Sequence, residues 1–187
     1  MKPFAVFGLA VMFASAALAQ HQTFVVNPDG SAVRMMLKTN HELVNGTFHV
    51  QSGSIVFDCG APEMSGSVTV LAGSGKTGND SRDTKMYKDV LKVKQHATVS
   101  FAPKTYTGIL APSGESTIQV KGIFTLLGSP HEITVPMTVY LDGANSNAKA
   151  HIVLPYVQWG LKNPTFLMWK VDNDVAIDLF FAGRLSK

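Results

Sequence analysis

The side chains best suited to acid–base or metal chemistry near neutral pH are six histidines: His21, His41, His49, His96, His131 and His151. None stands in an H-x-H or H-x-x-x-H pair, and none lies at ligand spacing from the single cysteine, Cys59, so no dedicated metal site is expected. His41 and His131 fall near expected loops or strand ends, where an imidazole more often orders a loop than acts as a base. Gly75-Lys76-Thr77 has the look of a phosphate loop, but that motif needs a glycine where Val70 stands. Ser74 lacks the flanking glycines of a nucleophile elbow, because Ala72 and Lys76 hold those positions. Cys59 either pairs between chains or sits half-buried beside Phe57-Asp58. Arg82-Asp83, just after a glycine-rich stretch, admits three roles: a solvated pair, a pin for the preceding loop through backbone carbonyls, or a contact for an anionic head group.

The elements that position these residues follow from a period of two. Val33, Met35 and Leu37 alternate with Arg34, Met36 and Lys38; Ile133 to Leu141 and Val175 to Phe181 alternate in the same way. Such alternation marks strands with one apolar face. Shorter versions occur at Phe24–Val26, Phe48–Val50, Ile55–Phe57, Val68–Val70, Val99–Phe101, Ile118–Val120 and Ile152–Leu154. Asn27-Pro28-Asp29-Gly30, Ser52-Gly53 and Ala111-Pro112-Ser113-Gly114 have the composition of hairpin connections. One segment breaks the pattern: a Gly-rich loop at 73–79 precedes a helix over about 81–91, with Asp80 as its N-cap and Asp83 supporting its dipole. Met86, Tyr87, Val90 and Leu91 share one face, which packs against the sheet and covers part of its outside. The expected class is all-β and antiparallel, with eight to ten strands closing into a barrel or splitting into a sandwich.

The first nineteen residues read as a leader: Lys2, an uncharged run from Pro3 to Leu18, and an A-x-A site at Ala17-Leu18-Ala19. The expected mature chain, 20–187, is one exported domain. Its 187-residue precursor is 45% hydrophobic and 16% charged with a net charge of +3, which excludes a disordered tail. No run of Lys or Arg concentrates that charge, so nucleic acid is not an expected partner.

The ordered motifs carry a family resemblance. Gly46-Thr47-Phe48, Gly53-Ser54-Ile55-Val56-Phe57-Asp58, Gly78-Asn79-Asp80-Ser81-Arg82-Asp83-Thr84-Lys85-Met86, His96-Ala97-Thr98-Val99-Ser100-Phe101 and Gly122-Ile123-Phe124-Thr125-Leu126-Leu127-Gly128 stand in order. Over nearly the whole mature chain the sequence resembles the YceI-like family of secreted polyisoprenoid-binding proteins. The resemblance implies a lipocalin-like antiparallel β-barrel of about eight strands holding an isoprenoid, such as a quinone or polyprenyl lipid, with no catalytic residue and no cofactor. It also implies the bacterial periplasm. Leu127, Ala97 and Tyr156-Val157-Gln158-Trp159-Gly160 depart from the residues usual in that family.

Alternation gives each strand two faces without saying which one is the lumen; on such a barrel Met35, Leu37, Phe48, Phe57, Val70, Phe101, Phe124, Val135, Met137, Ile177 and Phe181 are the residues expected to face inward. Trp159 and Trp169 then stand near an opening, with Lys162 and Arg82 as head-group contacts. A slip of one residue would turn a strand's whole set outward. Three functions stay open: an isoprenoid carrier or store, a structural or stress barrel with a filled core, and a hydrolase or isomerase using a pocket His and acid. Transient membrane contact and a dimer are compatible with the first.

Overall fold

A computed structural model describes residues 21–186; the leader expected at 1–19 lies outside them. The strands are β1 (Gln22–Val26), β2 (Ala32–Lys38), β3 (Leu43–Phe48), β4 (Val50–Asp58), β5 (Ala61–Leu71), β6 (Thr98–Thr107), β7 (Gly114–Leu126), β8 (Ser129–Leu141), β9 (Ser146–Leu154) and β10 (Val175–Ser186). β1 pairs with one half of β10, Val26 opposite Gly183, and β2 continues along the other half, Ala32 opposite Phe180. On their other side the same two segments meet β4 and β3 in turn. Ten segments therefore make eight antiparallel staves, each joined to the next in sequence and closed by β1 against β10.

This pairing corrects two expected turns. Asn27–Gly30 joins no hairpin; it is an insertion within one stave, tied back by the Asn27 amide to the Ala182 carbonyl at 2.8 Å. Ser52-Gly53 lies inside β4, beside a register shift between Val50 and Ser52. Gly53 serves close approach there, since a Cβ would lie 2.5 Å from Val26 Cγ2. Gly66 performs a backbone task in β5: its φ of +95° fits the irregular pairing between Glu63 and Val68, and a Cβ would lie 2.0 Å from the Ser54 carbonyl oxygen. Ala111–Gly114 does fall between β6 and β7.

The barrel has two unlike halves. Toward the β6–β7 and β8–β9 connections, Phe24, Ile55, Phe57, Ile118, Val120, Leu141 and Phe181 are buried in one cluster. Each fully buried side chain of this size contributes about 1.5–3 kcal/mol by transfer from water. The opposite end carries the connections 39–42, 72–97, 127–128 and 155–174. There, helix α1 (Asp80–Lys85) runs on into a π-helical turn, Met86–Val90. Its N-cap is Asn79, not Asp80: Asn79 Oδ1 accepts the Arg82 amide at 3.0 Å. Asp83 does not sit exposed on the first turn but is buried, for a reason given below. The helix also differs from expectation in placement. Met86, Val90 and Leu91 face the barrel interior, so the segment closes over the open end instead of covering the outer wall.

One seam of the wall is incomplete. β8 pairs with β9 only from Met137 to Tyr140, opposite Asn147–Ala150. Pro130 and Pro136 lie in the part of β8 that pairs with β7 but not with β9. The chain after β9 returns to cover this gap. Trp159 packs against the Val135–Ile152–Leu154 cluster and stacks on His131, ring centroids 4.1 Å apart.

Candidate functional site

The open half is hollow. An outer chamber of about 580 Å³ lies under α1 and the 155–174 connection, and an inner chamber of about 110 Å³ lies beneath it. Val70, Val99, Phe124, Ile152 and Leu179 border both, forming a waist. All eleven residues expected to face inward line these chambers: Met35, Leu37, Phe48 and Ile177 the outer one, Phe57, Phe101, Val135, Met137 and Phe181 the inner, and Val70 and Phe124 both. The inner chamber is small because its walls are the packed cluster itself: Phe24, Ile55, Phe57, Ile118, Val120, Leu141 and Phe181 all border it.

Apart from Ser100, which borders the inner chamber, the polar lining groups belong to the connections at the mouth, where Thr39, Glu42, Thr77, Asn79, Ser81, Arg82 and Lys85 reach the outer chamber. Arg82 is largely committed to the protein. Its Nε donates to Thr77 Oγ1 at 2.9 Å, Nη2 to the Thr77 carbonyl at 3.0 Å, and Nη1 to Glu42 Oε1 at 2.7 Å. Of its three sequence-level roles, pinning the loop is the one in place. Asp83 fastens the same loop from inside, accepting the Thr77 amide at 2.9 Å and the Thr77 hydroxyl at 2.6 Å, with Lys76 Nζ at 3.7 Å. Burial opposes its charge, but the two Thr77 bonds and the nearby Lys76 and Arg82 outweigh this and hold its carboxyl below the ordinary range. Tyr87 donates to the Gly75 carbonyl, completing the attachment of helix to loop.

The expected entrance set divides. Arg82 and Trp169 border the outer chamber; Trp159 and Lys162 border neither. Trp159 is occupied in closing the β8–β9 gap, and Lys162 is exposed on the 155–174 connection. Lys85, Phe166 and the apolar face of the helical segment are mouth residues that sequence reasoning passed over. Lys85 had a signal, since it lies three residues after Arg82 and so shares its helical face.

Neither His41 nor His131 reaches a chamber: His41 lies against Trp169 with centroids 4.3 Å apart, and His131 lies against Trp159. The His151–Asp178 contact, 2.6 Å between Nδ1 and Oδ1, joins exposed residues on the outer face. Near the packed end, burial and then Asp58 raise the pKa of Cys59, which keeps a half-buried thiol protonated and weakly nucleophilic. Tyr156 donates to the Asp172 carbonyl at 2.7 Å, and burial, then Asp172 and Asp174, push its pKa up to about 12.

Comparison with known proteins agrees with this architecture. The family model described as the YceI-like domain matches residues 24–182. The chain belongs to the YceI-like family. Solved structures similar to this YceI-like chain include Burkholderia cenocepacia BcnA, with a TM-score of 0.68 at 19% identity, covering 87% of this chain and 99% of that one. A polyisoprenoid binding domain from Saccharophagus degradans, implicated in plant cell wall breakdown, gives a TM-score of 0.69 at 13% identity, over 87% and 98% of the two chains. The Campylobacter jejuni YceI protein gives 0.57 at 16% identity over 100% and 99%. No match was found among curated protein sequences. At these identities the likeness to YceI-like structures is one of fold.

Proposed function

We propose that this barrel binds one long isoprenoid lipid, of polyprenyl or quinone type, and stores or carries it in the cell envelope without transforming it. The observation that carries the reading is a chamber of about 580 Å³ with apolar walls and polar groups only at its rim. Such a site takes a slender apolar tail inside and leaves the head at the mouth, within reach of Lys85 and the Arg82–Glu42 pair. Each five-carbon unit taken from water contributes on the order of 4 kcal/mol before ordering costs are subtracted. Affinity therefore needs no ion pair in the lumen, where an unpaired charge would cost more than a unit contributes. The Saccharophagus degradans neighbour, a polyisoprenoid binding domain, supports the same ligand class. The composition of residues 1–19 supports export to the periplasm.

A filled structural barrel describes the inner half but not the outer. An enzyme using a pocket histidine is disfavoured by the positions of His41 and His131 outside both chambers. The test is native mass spectrometry and organic extraction of the protein purified from its own host, followed by uptake of added polyprenol. A co-purifying isoprenoid, or stoichiometric polyprenol uptake, is the expected result. A protein that carries no lipid and takes up none overturns the proposal.

A further inference from the structure

The 155–174 connection ends in a feature that folding alone does not call for. Phe166, Leu167, Met168 and Trp169 form a tight hairpin tip, closed by mutual backbone bonds of 3.1 and 3.0 Å between Phe166 and Trp169. All four are exposed, at 62, 81, 79 and 51%. Leu167 holds a φ of +51°, a conformation that turns ordinarily give to Gly or Asn. The tip is held in place. Asn40 Nδ2 donates to the Met168 carbonyl at 2.9 Å, and the Lys170 amide donates to Asn40 Oδ1 at 2.9 Å. An apolar protrusion fixed outward in this way is costly in water, and its bulky turn residue gains nothing from the barrel.

We infer that this tip inserts into the headgroup layer of an anionic bilayer and seats the mouth of the barrel on the membrane. Two observations select a bilayer over another protein. The first is charge: Lys85 lies 5.6 Å from the Phe166 ring centroid, Lys170 follows Trp169 directly, and Lys162 shares the connection. The neighbouring connection 72–97 carries six Lys or Arg against three Asp, and one of these, Asp83, is buried against Thr77. The opposing charges are Asp172 and Asp174 on the tip's own connection and Glu42 on the 39–42 connection, which pairs with Arg82 and so takes it out of the count of free cations. Cations near an anionic surface strengthen binding by about fivefold each. The second is shape. Four residues on a convex turn cannot supply the roughly 800 Å² per partner of a stable protein interface, but they suit insertion by about 5–10 Å.

The tip is also continuous with the lumen, because Phe166 and Trp169 border the outer chamber. Resting on the lipid-binding reading above, this gives a tail an apolar route from bilayer to barrel without crossing water.

The test is cosedimentation of the purified protein with phosphatidylcholine vesicles, with and without phosphatidylglycerol. Polyprenol uptake from solution is followed in parallel by native mass spectrometry. The expected result is binding to the anionic vesicles, weakened at least tenfold by Leu167→Asp with Met168→Asp. Ile109→Asp, an equally exposed apolar site at the opposite end, leaves it unchanged. Polyprenol uptake persists in the tip variant. Absence of vesicle binding, or binding indifferent to the tip variant, overturns the inference even where uptake is normal. So does a tip-dependent dimer that ignores vesicles. Tip-dependent vesicle binding with no uptake in any form upholds the docking role and removes the lipid-carrier reading instead.

Discussion

Replacing Val70 with Phe is the most direct probe of how the two chambers share a ligand. Val70 borders both, and its side chain is half-buried beside open space, so a larger ring fills void instead of displacing core. A cavity of about 150 Å³ accepts one benzene-sized body, so the outer chamber corresponds to about 24 carbons, or roughly five isoprene units. By the same measure the inner chamber, about 110 Å³, adds roughly one unit through the waist. The wild-type barrel should thus prefer a six-unit over a five-unit prenol. The gross gain for the extra unit is on the order of 4 kcal/mol. Ordering and imperfect fit leave about 2 kcal/mol, which is roughly a 30-fold preference. Val70→Phe closes the waist and should bring that preference to near unity or reverse it, while the melting temperature does not fall. The assay is competition between the two prenols, read as the ratio of complexes by native mass spectrometry. A variant that keeps its fold and the wild-type ratio refutes the idea that the waist admits the tail's end.

Two further predictions concern the frame around the site. Asp83→Ala should destabilise the protein by about 3 kcal/mol, because the Thr77 amide and hydroxyl both lose a charged acceptor in a buried position. Since the folded-state pKa of Asp83 lies below its unfolded value, the stabilisation is full above about pH 4 and is lost as pH falls through the folded value. The gap in melting temperature between wild type and Asp83→Ala should therefore narrow from neutral pH toward pH 3. A constant gap would show that Thr77 does not depend on the carboxylate. Gly66→Ala should cost about 2–4 kcal/mol in urea denaturation, since φ is +95° and the Ser54 carbonyl leaves no space for a Cβ. A neutral effect would mean that β5 can lose its irregularity without strain.

Much of this was legible because a barrel interior reads one strand face at a time. In β8 and β10 every second residue is apolar over four or five positions, which shows the strand and the set that shares one face, though not which face is the lumen. The three short apolar pairs at β5, β6 and β7 follow the same parity. Gly and Pro were the ambiguous letters. Asn27–Gly30 and Ser52-Gly53 have turn composition but serve an insertion and a close contact, and composition does not distinguish a chain that reverses from one that only bends. Trp159 was misplaced for a related reason. It packs where β8 and β9 do not pair, and a missing ladder is a property of two strands, invisible in either alone. The helix lies in the expected segment, with its cap at Asn79, one residue before the expected Asp80, and its apolar face turned toward the open end. Apolar spacing shows that a helix has a buried side but not whether that side meets the outer wall or the open end.

The division of the barrel into a packed half and a hollow half connects these points. A closed eight-stave wall has only enough width for its own side chains or one slender guest. Here Phe57, Ile118, Val120, Leu141 and Phe181 take the first option at one end, so the core contacts that hold the fold are largely complete there. The other end is free to stay hollow, and its loops are held by a smaller buried cluster, Leu126, Tyr156 and Leu161, together with polar fastening: Asp83 on Thr77, Arg82 on Thr77 and Glu42, Asn40 on the 166–169 hairpin. Those bonds anchor the loops without filling the space beneath them, which a hydrophobic plug would have done. Charged and polar residues thus cluster at the end that holds the larger of the two chambers, where they fasten the loops over its mouth.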